Sequence, residues 1–151
     1  MDEESIIFIK NLEEQLGSKI SYRTLSTWYY SFSDKTLRTY GVFICLFEDK
    51  LYLEDFNRVP TILGYPVKNN SASKYVKYSR TINLADIEYV QLVKKSQVES
   101  VINSNIYTPL NKISKTAKLF SRFVTEVKLK GEDSIYFELI NPKAFSIAIG
   151  K

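Results

Sequence analysis

Residues 41–56 read GVFICLFEDKLYLEDF. Val42 to Phe47 is apolar at every position, which suits a strand covered on both faces. Glu48-Asp49-Lys50 then permits a tight reversal. Beyond it Leu51, Leu53 and Asp55 fall on one parity, and Tyr52, Glu54 and Phe56 on the other. The stretch predicts a β-hairpin. Its first strand carries apolar side chains for two neighbours.

The same alternation extends outward. Ile20, Tyr22, Trp28, Tyr30 and Phe32 share one parity and predict a strand near 25–32, followed by a loop at Ser33-Asp34-Lys35. Leu84-Ala85-Asp86 leads into a strand over 87–93. Phe123, Val127 and Leu129 alternate, Gly131-Glu132-Asp133 turns the chain, and Ile135, Phe137 and Leu139 alternate back. Pro60, Gly64, Pro66 and Asn69-Asn70-Ser71 interrupt residues 57–80, where one short strand near 75–78 is predicted.

Helical spacing occurs in four places. Ile6, Ile9, Leu12 and Leu16 predict a helix over 4–16, stopped by Gly17. Ser96 and Glu99 stand at capping-box spacing before Val101 and Ile102. Ile113, Thr116, Ala117 and Phe120 predict a second short helix after Pro109. Asn141-Pro142 opens a closing helix, with Asn as cap and Pro in the first turn. Phe145, Ala148 and Ile149 should face the core. We find no internal repeat and no low-complexity segment.

The totals bound the function. A chain of 151 residues is one domain by default. Residues 1–18 form a helix for docking or oligomer contact, and 19–151 form the β domain. Aromatics are 14% of the chain, with 11 Tyr and 9 Phe, which favours strands. Cys45 is the one cysteine, so an internal disulfide is excluded and a reducing compartment is expected. Histidine is absent, which removes the usual zinc ligand and general base. No glycine-rich phosphate loop is present, and no cofactor or metal is expected. No run approaches the ~18 apolar residues of a spanning helix. The acidic start Met1-Asp2-Glu3-Glu4 is unlike a secretory signal. A cytoplasmic protein is expected, with a peripheral membrane position open to it.

The net charge of +4 is unevenly spread. Residues 1–56 carry 6 basic and 10 acidic groups, residues 57–130 carry 13 and 4, and residues 131–151 carry 2 and 3. Arg58, Lys68, Lys74, Lys77 and Arg80 fall in a stretch with no acid. In KYVKYSR (74–80) the cations interleave with Tyr75 and Tyr78. That pattern suits an anionic membrane, an acidic protein or, less well, single-stranded nucleic acid; it also suits a lysine-guarded sheet edge. Lys112, Lys115, Lys118 and Arg122 would form one accessory basic stripe on a helix. Acidic neighbours such as Glu54 and Asp55 point to opposite faces of a strand, so they cannot act as a catalytic pair.

Several hairpin-connected strands and a final amphipathic helix give the chain its resemblance. GVFICLFEDKLYLEDF, INLADIEYVQLV (82–93) and SIYFELINPKAFSIAI (134–149) together resemble the pleckstrin-homology-like superfamily, which includes the GRAM type. The resemblance covers roughly residues 20–150. It implies a seven-stranded, partly open barrel of two near-orthogonal antiparallel sheets, with one end plugged by the C-terminal helix. Three features depart from the family: the N-terminal helix, a helical insertion near 96–118, and Phe145 where the family has a tryptophan. Members that hold phosphoinositides use basic residues around the first hairpin loop, where this chain offers Lys35 and Arg38. The resemblance implies a non-enzymatic binding module that meets a protein partner, with weak association to anionic lipid. Two alternatives stand beside it. One is a structural role with homo-oligomerisation through 4–16. The other is nucleic-acid binding through 74–80.

Overall fold

The computed structural model describes residues 2–39, 41–55, 61–62, 65–66, 77–131 and 134–151, of which 61–62 and 65–66 are described in backbone only. The order of elements is α1 (Glu3–Leu16), β1 (Tyr22–Ser31), β2 (Thr36–Arg38), β3 (Val42–Leu46), β4 (Lys50–Asp55), β5 (Thr61–Ile62), β6 (Tyr65–Pro66), β7 (Ser79–Asn83), a 3-10 turn (Leu84–Asp86), β8 (Ile87–Lys94), α2 (Lys95–Ser104), α3 (Ala117–Phe120), β9 (Phe123–Leu129), β10 (Ser134–Leu139) and α4 (Pro142–Ile149). The chain is mainly β, with an eight-stranded antiparallel sheet in the order β7-β4-β3-β1-β10-β9-β8 and β2 paired to β1. The strands hydrogen-bond as one continuous sheet; β5 and β6 form a separate two-stranded ribbon.

The connectivity forces this sheet to curl. Lying flat, its outermost strands β7 and β8 would stand about 29 Å apart, six spacings of ~4.8 Å. They are joined only by Leu84–Asp86, and that link spans at most about 14 Å. The edges must therefore approach each other, and the sheet becomes a half-barrel. Two backbone bonds fix the corner. Leu84 N–H donates to the Asp49 carbonyl (2.9 Å), and Lys130 N–H to the Asp86 carbonyl (2.8 Å).

Inside the curl, Tyr29, Val42, Ile44, Leu46, Leu51, Leu53, Val127, Ile135 and Phe137 form one buried cluster with Phe145 and Ile149 of α4. The outer face of β3–β4 is buried too. Cys45 and Phe47 pack with Leu12, and Phe8, Leu16, Phe43 and Tyr52 close around them. The all-apolar run 42–47 is thus explained: even positions face the barrel core, odd ones face α1. Of the helix's apolar residues Phe8, Leu12 and Leu16 make the contact, while Ile6 and Ile7 stay half-exposed. On the other half, Trp28, Tyr30, Phe32, Val93, Val124 and Tyr136 are roofed by Val98 and Val101 of α2, and by Tyr107 and Leu110.

Four local expectations are corrected. The aromatic residues of β1 do not share one face: Tyr22 packs with the barrel core, but Trp28, Tyr30 and Phe32 face outward. A β-bulge between Ser26 and Tyr29 inserts one residue and reverses the alternation. Ser26 patches it, donating to the Trp28 carbonyl and accepting the Glu138 N–H (3.0 Å). Second, Ser96 does not cap α2. Lys94 holds the cap position, and the Lys95 N–H is met by the Arg122 carbonyl (3.0 Å) instead. Third, the helix expected after Pro109 is only the single turn α3. Ile113 N–H donates to the Leu92 carbonyl (2.7 Å), which holds that residue along the edge of β8 and out of helical geometry. Fourth, Lys77 and Tyr78 lie outside any strand, and β7 begins at Ser79; the rest of the strand expected near 75–78 lies outside the described residues.

The closing helix keeps its start signals, and its end is seen in the structure. The Asn141 side chain accepts from Ala144 N–H (3.0 Å), Pro142 opens the first turn, and Gly150 ends it in the left-handed region at φ 77°.

Candidate functional site

β1 packs Tyr22 against Phe145 of α4 at its start (ring centroids 6.4 Å). Its other end reaches Ser31 and the turn 32–35, where Lys35 takes a left-handed φ of 53° so that β2 can fold back on β1. Several of the residues singled out for anion binding meet at this end, remote from α4.

A chain of hydroxyls runs through the site. Tyr78 donates to Asp34 Oδ2 (2.8 Å), and the Tyr29 and Tyr78 hydroxyls are 2.7 Å apart. A carboxylate only accepts, so Tyr78 spends its one proton on Asp34 and Tyr29 donates to Tyr78. Burial pushes the Tyr29 phenol up to about 12. Burial raises Tyr78 further, helped by the adjoining Tyr29 and Asp34. Both phenols stay protonated at neutral pH.

The cations around this chain are held by carboxylates. Arg38 Nε donates to Asp55 Oδ2 (2.8 Å), which also accepts the Tyr78 N–H (3.0 Å). The Arg38 guanidinium lies over the Tyr78 ring, 5.6 Å from its centroid. Arg80 donates to Ser31 Oγ (3.1 Å) and Ser33 Oγ (3.4 Å) and stands 3.7 Å from Asp34. Lys77 pairs with Glu54, whose other oxygen accepts from the Tyr52 hydroxyl (2.9 Å). Lys35 is exposed at the tip. On the inner face Arg38 and Arg80 therefore meet Asp55 and Asp34, while Lys77 and Glu54 pair on the opposite face of β4; a phosphate at Arg38 or Arg80 would have to displace Asp55 or Asp34. Tyr78 packs tilted against Tyr29 (ring centroids 5.4 Å) beside the barrel core, with the Arg38 guanidinium over its ring. Arg58 and Lys74 lie outside the described residues.

A second ionic cluster lies behind the sheet. Glu138 accepts from Lys95 Nζ and Arg122 Nη2, both at 2.6 Å. Burial would raise its carboxyl, but these two cations hold it below the ordinary carboxylate value. Lys95 also sits over Trp28, 5.0 Å from the ring centroid. A cavity of about 270 Å³ lined by Lys95, Ser96, Glu99, Ser121 and Arg122 opens beside it. The expected stripe of Lys112, Lys115, Lys118 and Arg122 is not formed. Lys112 and Lys115 precede α3, Lys118 lies in it, and Arg122 follows it.

Sequence reasoning missed Glu126. It is fully buried on β9, where Gln91 Nε2 donates to one oxygen and Ser134 Oγ to the other, both at 2.6 Å. Gln91 also donates to the Leu110 carbonyl (3.1 Å), so this carboxylate fastens the 105–113 strap to the sheet. Only its placement between apolar Val124 and Val127 hinted at burial. Among the described residues no cluster of His, Cys, Asp or Glu is placed to hold a metal ion. No helix of those residues is long and apolar enough to cross a membrane.

No protein-family model matches the chain, and no curated protein or solved structure is significantly similar to it.

Proposed function

We propose that this chain is a non-enzymatic binding module of the pleckstrin-homology-like type, which accepts an extended segment of a protein partner along the outer edge of β7. The architecture supports the type. Two antiparallel meanders, β1-β3-β4-β7 and β8-β9-β10, join through β1 and β10 and are closed by one C-terminal helix. In this reading the two halves of the curled sheet act as the family's near-orthogonal layers, and Phe145 takes the place of its tryptophan. The carboxylates support binding over catalysis. Glu54, Asp55 and Glu138 are tied to cations, and Glu126 is sealed beneath the strap.

The hydrogen-bond phase of β7 carries the proposal. Asp55 N–H donates to the Tyr78 carbonyl and Leu84 N–H to the Asp49 carbonyl, both at 2.9 Å. Pairs alternate in an antiparallel ladder. Residues 78, 80, 82 and 84 therefore bond toward β4, and Ser79, Thr81 and Asn83 turn their N–H and C=O groups outward. Among the described residues no strand pairs with that side. An extended peptide can add there as one more strand.

The phase also supplies the test. Thr81→Pro removes an outward N–H and leaves the ladder to β4 intact. Peptides selected from a random displayed library on the wild-type chain should bind the Thr81→Pro variant at least about tenfold more weakly, and Thr81→Val normally. Equal binding by all three chains, or a library with no binders, would count against the edge.

A further inference from the structure

We propose that α3 is a wedge through which this chain meets the surface of an anionic bilayer. The proposal stands on different residues from the β7 edge and does not depend on it. Leu119 and Phe120 are adjacent in sequence and 78% and 84% exposed. Nothing local requires this. Ile113, on the same excursion, is buried, so the segment can turn apolar side chains inward where the sheet receives them. The excursion is tied down on both sides of the pair. Ile113 N–H bonds the Leu92 carbonyl (2.7 Å), and the Arg122 carbonyl accepts the Lys95 N–H (3.0 Å). Between these anchors the single turn, closed by Ser121 N–H to the Ala117 carbonyl (2.9 Å), holds Leu119 and Phe120 outward.

The surrounding charge identifies the occupant. Lys112, Lys115, Lys118 and Arg122 bracket the pair, and no Asp or Glu occurs between Glu99 and Glu126. Arg122 keeps 74% of its side chain exposed while it touches Glu138. Two bulky apolar side chains left exposed, in a stretch of chain that carries four cations and no acid, match an anionic interface. The apolar pair enters the boundary between headgroups and acyl chains, and the amines stay at the phosphate level. This is adhesion by insertion and charge. It needs no headgroup pocket, and it uses none of the ion-paired cations around Asp34.

The test is co-sedimentation of the full chain with vesicles of phosphatidylcholine alone or with about 30% phosphatidylserine, a composition that gives the surface its negative potential. Binding to the anionic vesicles should exceed binding to the neutral ones at least tenfold and should fall as salt is raised. A Leu119→Ser/Phe120→Ser variant should lose about tenfold or more. A Lys112→Gln/Lys115→Gln/Lys118→Gln variant should lose about a hundredfold, roughly fivefold per charge. Lys112, Lys115, Leu119 and Phe120 are exposed and Lys118 is half-buried, so circular dichroism should show unchanged folding. Equal binding to both vesicles, or full binding by the serine variant, overturns the wedge. So does absence of vesicle binding, whether the serine substitutions then abolish self-association, retention on polyglutamate, or nothing measurable.

Discussion

Replacing Phe145 by alanine should cost this fold about 3–5 kcal/mol. A domain of this size holds only about 5–15 kcal/mol in all. Phe145 is fully buried and meets Tyr22 and Phe137 at ring-centroid distances of 6.4 and 6.0 Å. It is the side chain by which α4 closes the curl from below. Removing the ring leaves a cavity that strands of a continuous sheet cannot collapse to fill. Urea denaturation followed by Trp28 fluorescence should therefore move to a much lower midpoint. Phe145→Leu should recover much of the loss, because most of the buried volume returns. A midpoint for alanine within error of wild type would mean that α4 does not close the barrel.

Deleting residues 1–18 should make Cys45 reactive and the chain self-associating. Cys45 is fully buried on the outer face of β3, and burial pushes its thiol up to about 12. In the intact chain it should resist a thiol reagent for as long as the fold persists. Without α1, the side chains of Phe43, Cys45, Phe47 and Tyr52 lose Phe8, Leu12 and Leu16 as their cover. A contiguous apolar face then meets water, and such faces associate. Labelling should accelerate by orders of magnitude, and light scattering should show larger species. This separates α1 as a cover from α1 as an oligomer contact. A full-length oligomer that the deletion turns into a clean monomer, with Cys45 still protected, would favour oligomer contact.

The sequence disclosed the hairpin because Val42–Phe47 is apolar on both parities, Glu48-Asp49-Lys50 permits the reversal, and residues 51–56 alternate. Asn141-Pro142 marked the start of α4 because capping chemistry is local. The bulge in β1 was hidden: one extra residue carries no composition signal, yet it sends Trp28 and Tyr22 to opposite faces. Arg38, Lys77 and Arg80 were selectable by charge. The carboxylates that hold them depend on which strand lies beside which, such as Glu54 opposite Ser79 and Leu53 opposite Arg80. That register is set by long-range pairing, so the site's near-neutrality could not be read from a basic stretch. The failed helix after Pro109 has the same origin. The backbone of Ile113 is taken by Leu92 of β8, a tertiary bond that outweighs helical spacing.

Amide hydrogen exchange along β7 tests the account most directly. Arg80 and Ile82, bonded toward β4, should be protected, while Ser79, Thr81 and Asn83 should exchange at rates close to those of open chain. Uniform protection from residue 79 to 83 would mean that this edge is already occupied within the chain, and the proposed docking seam would not exist.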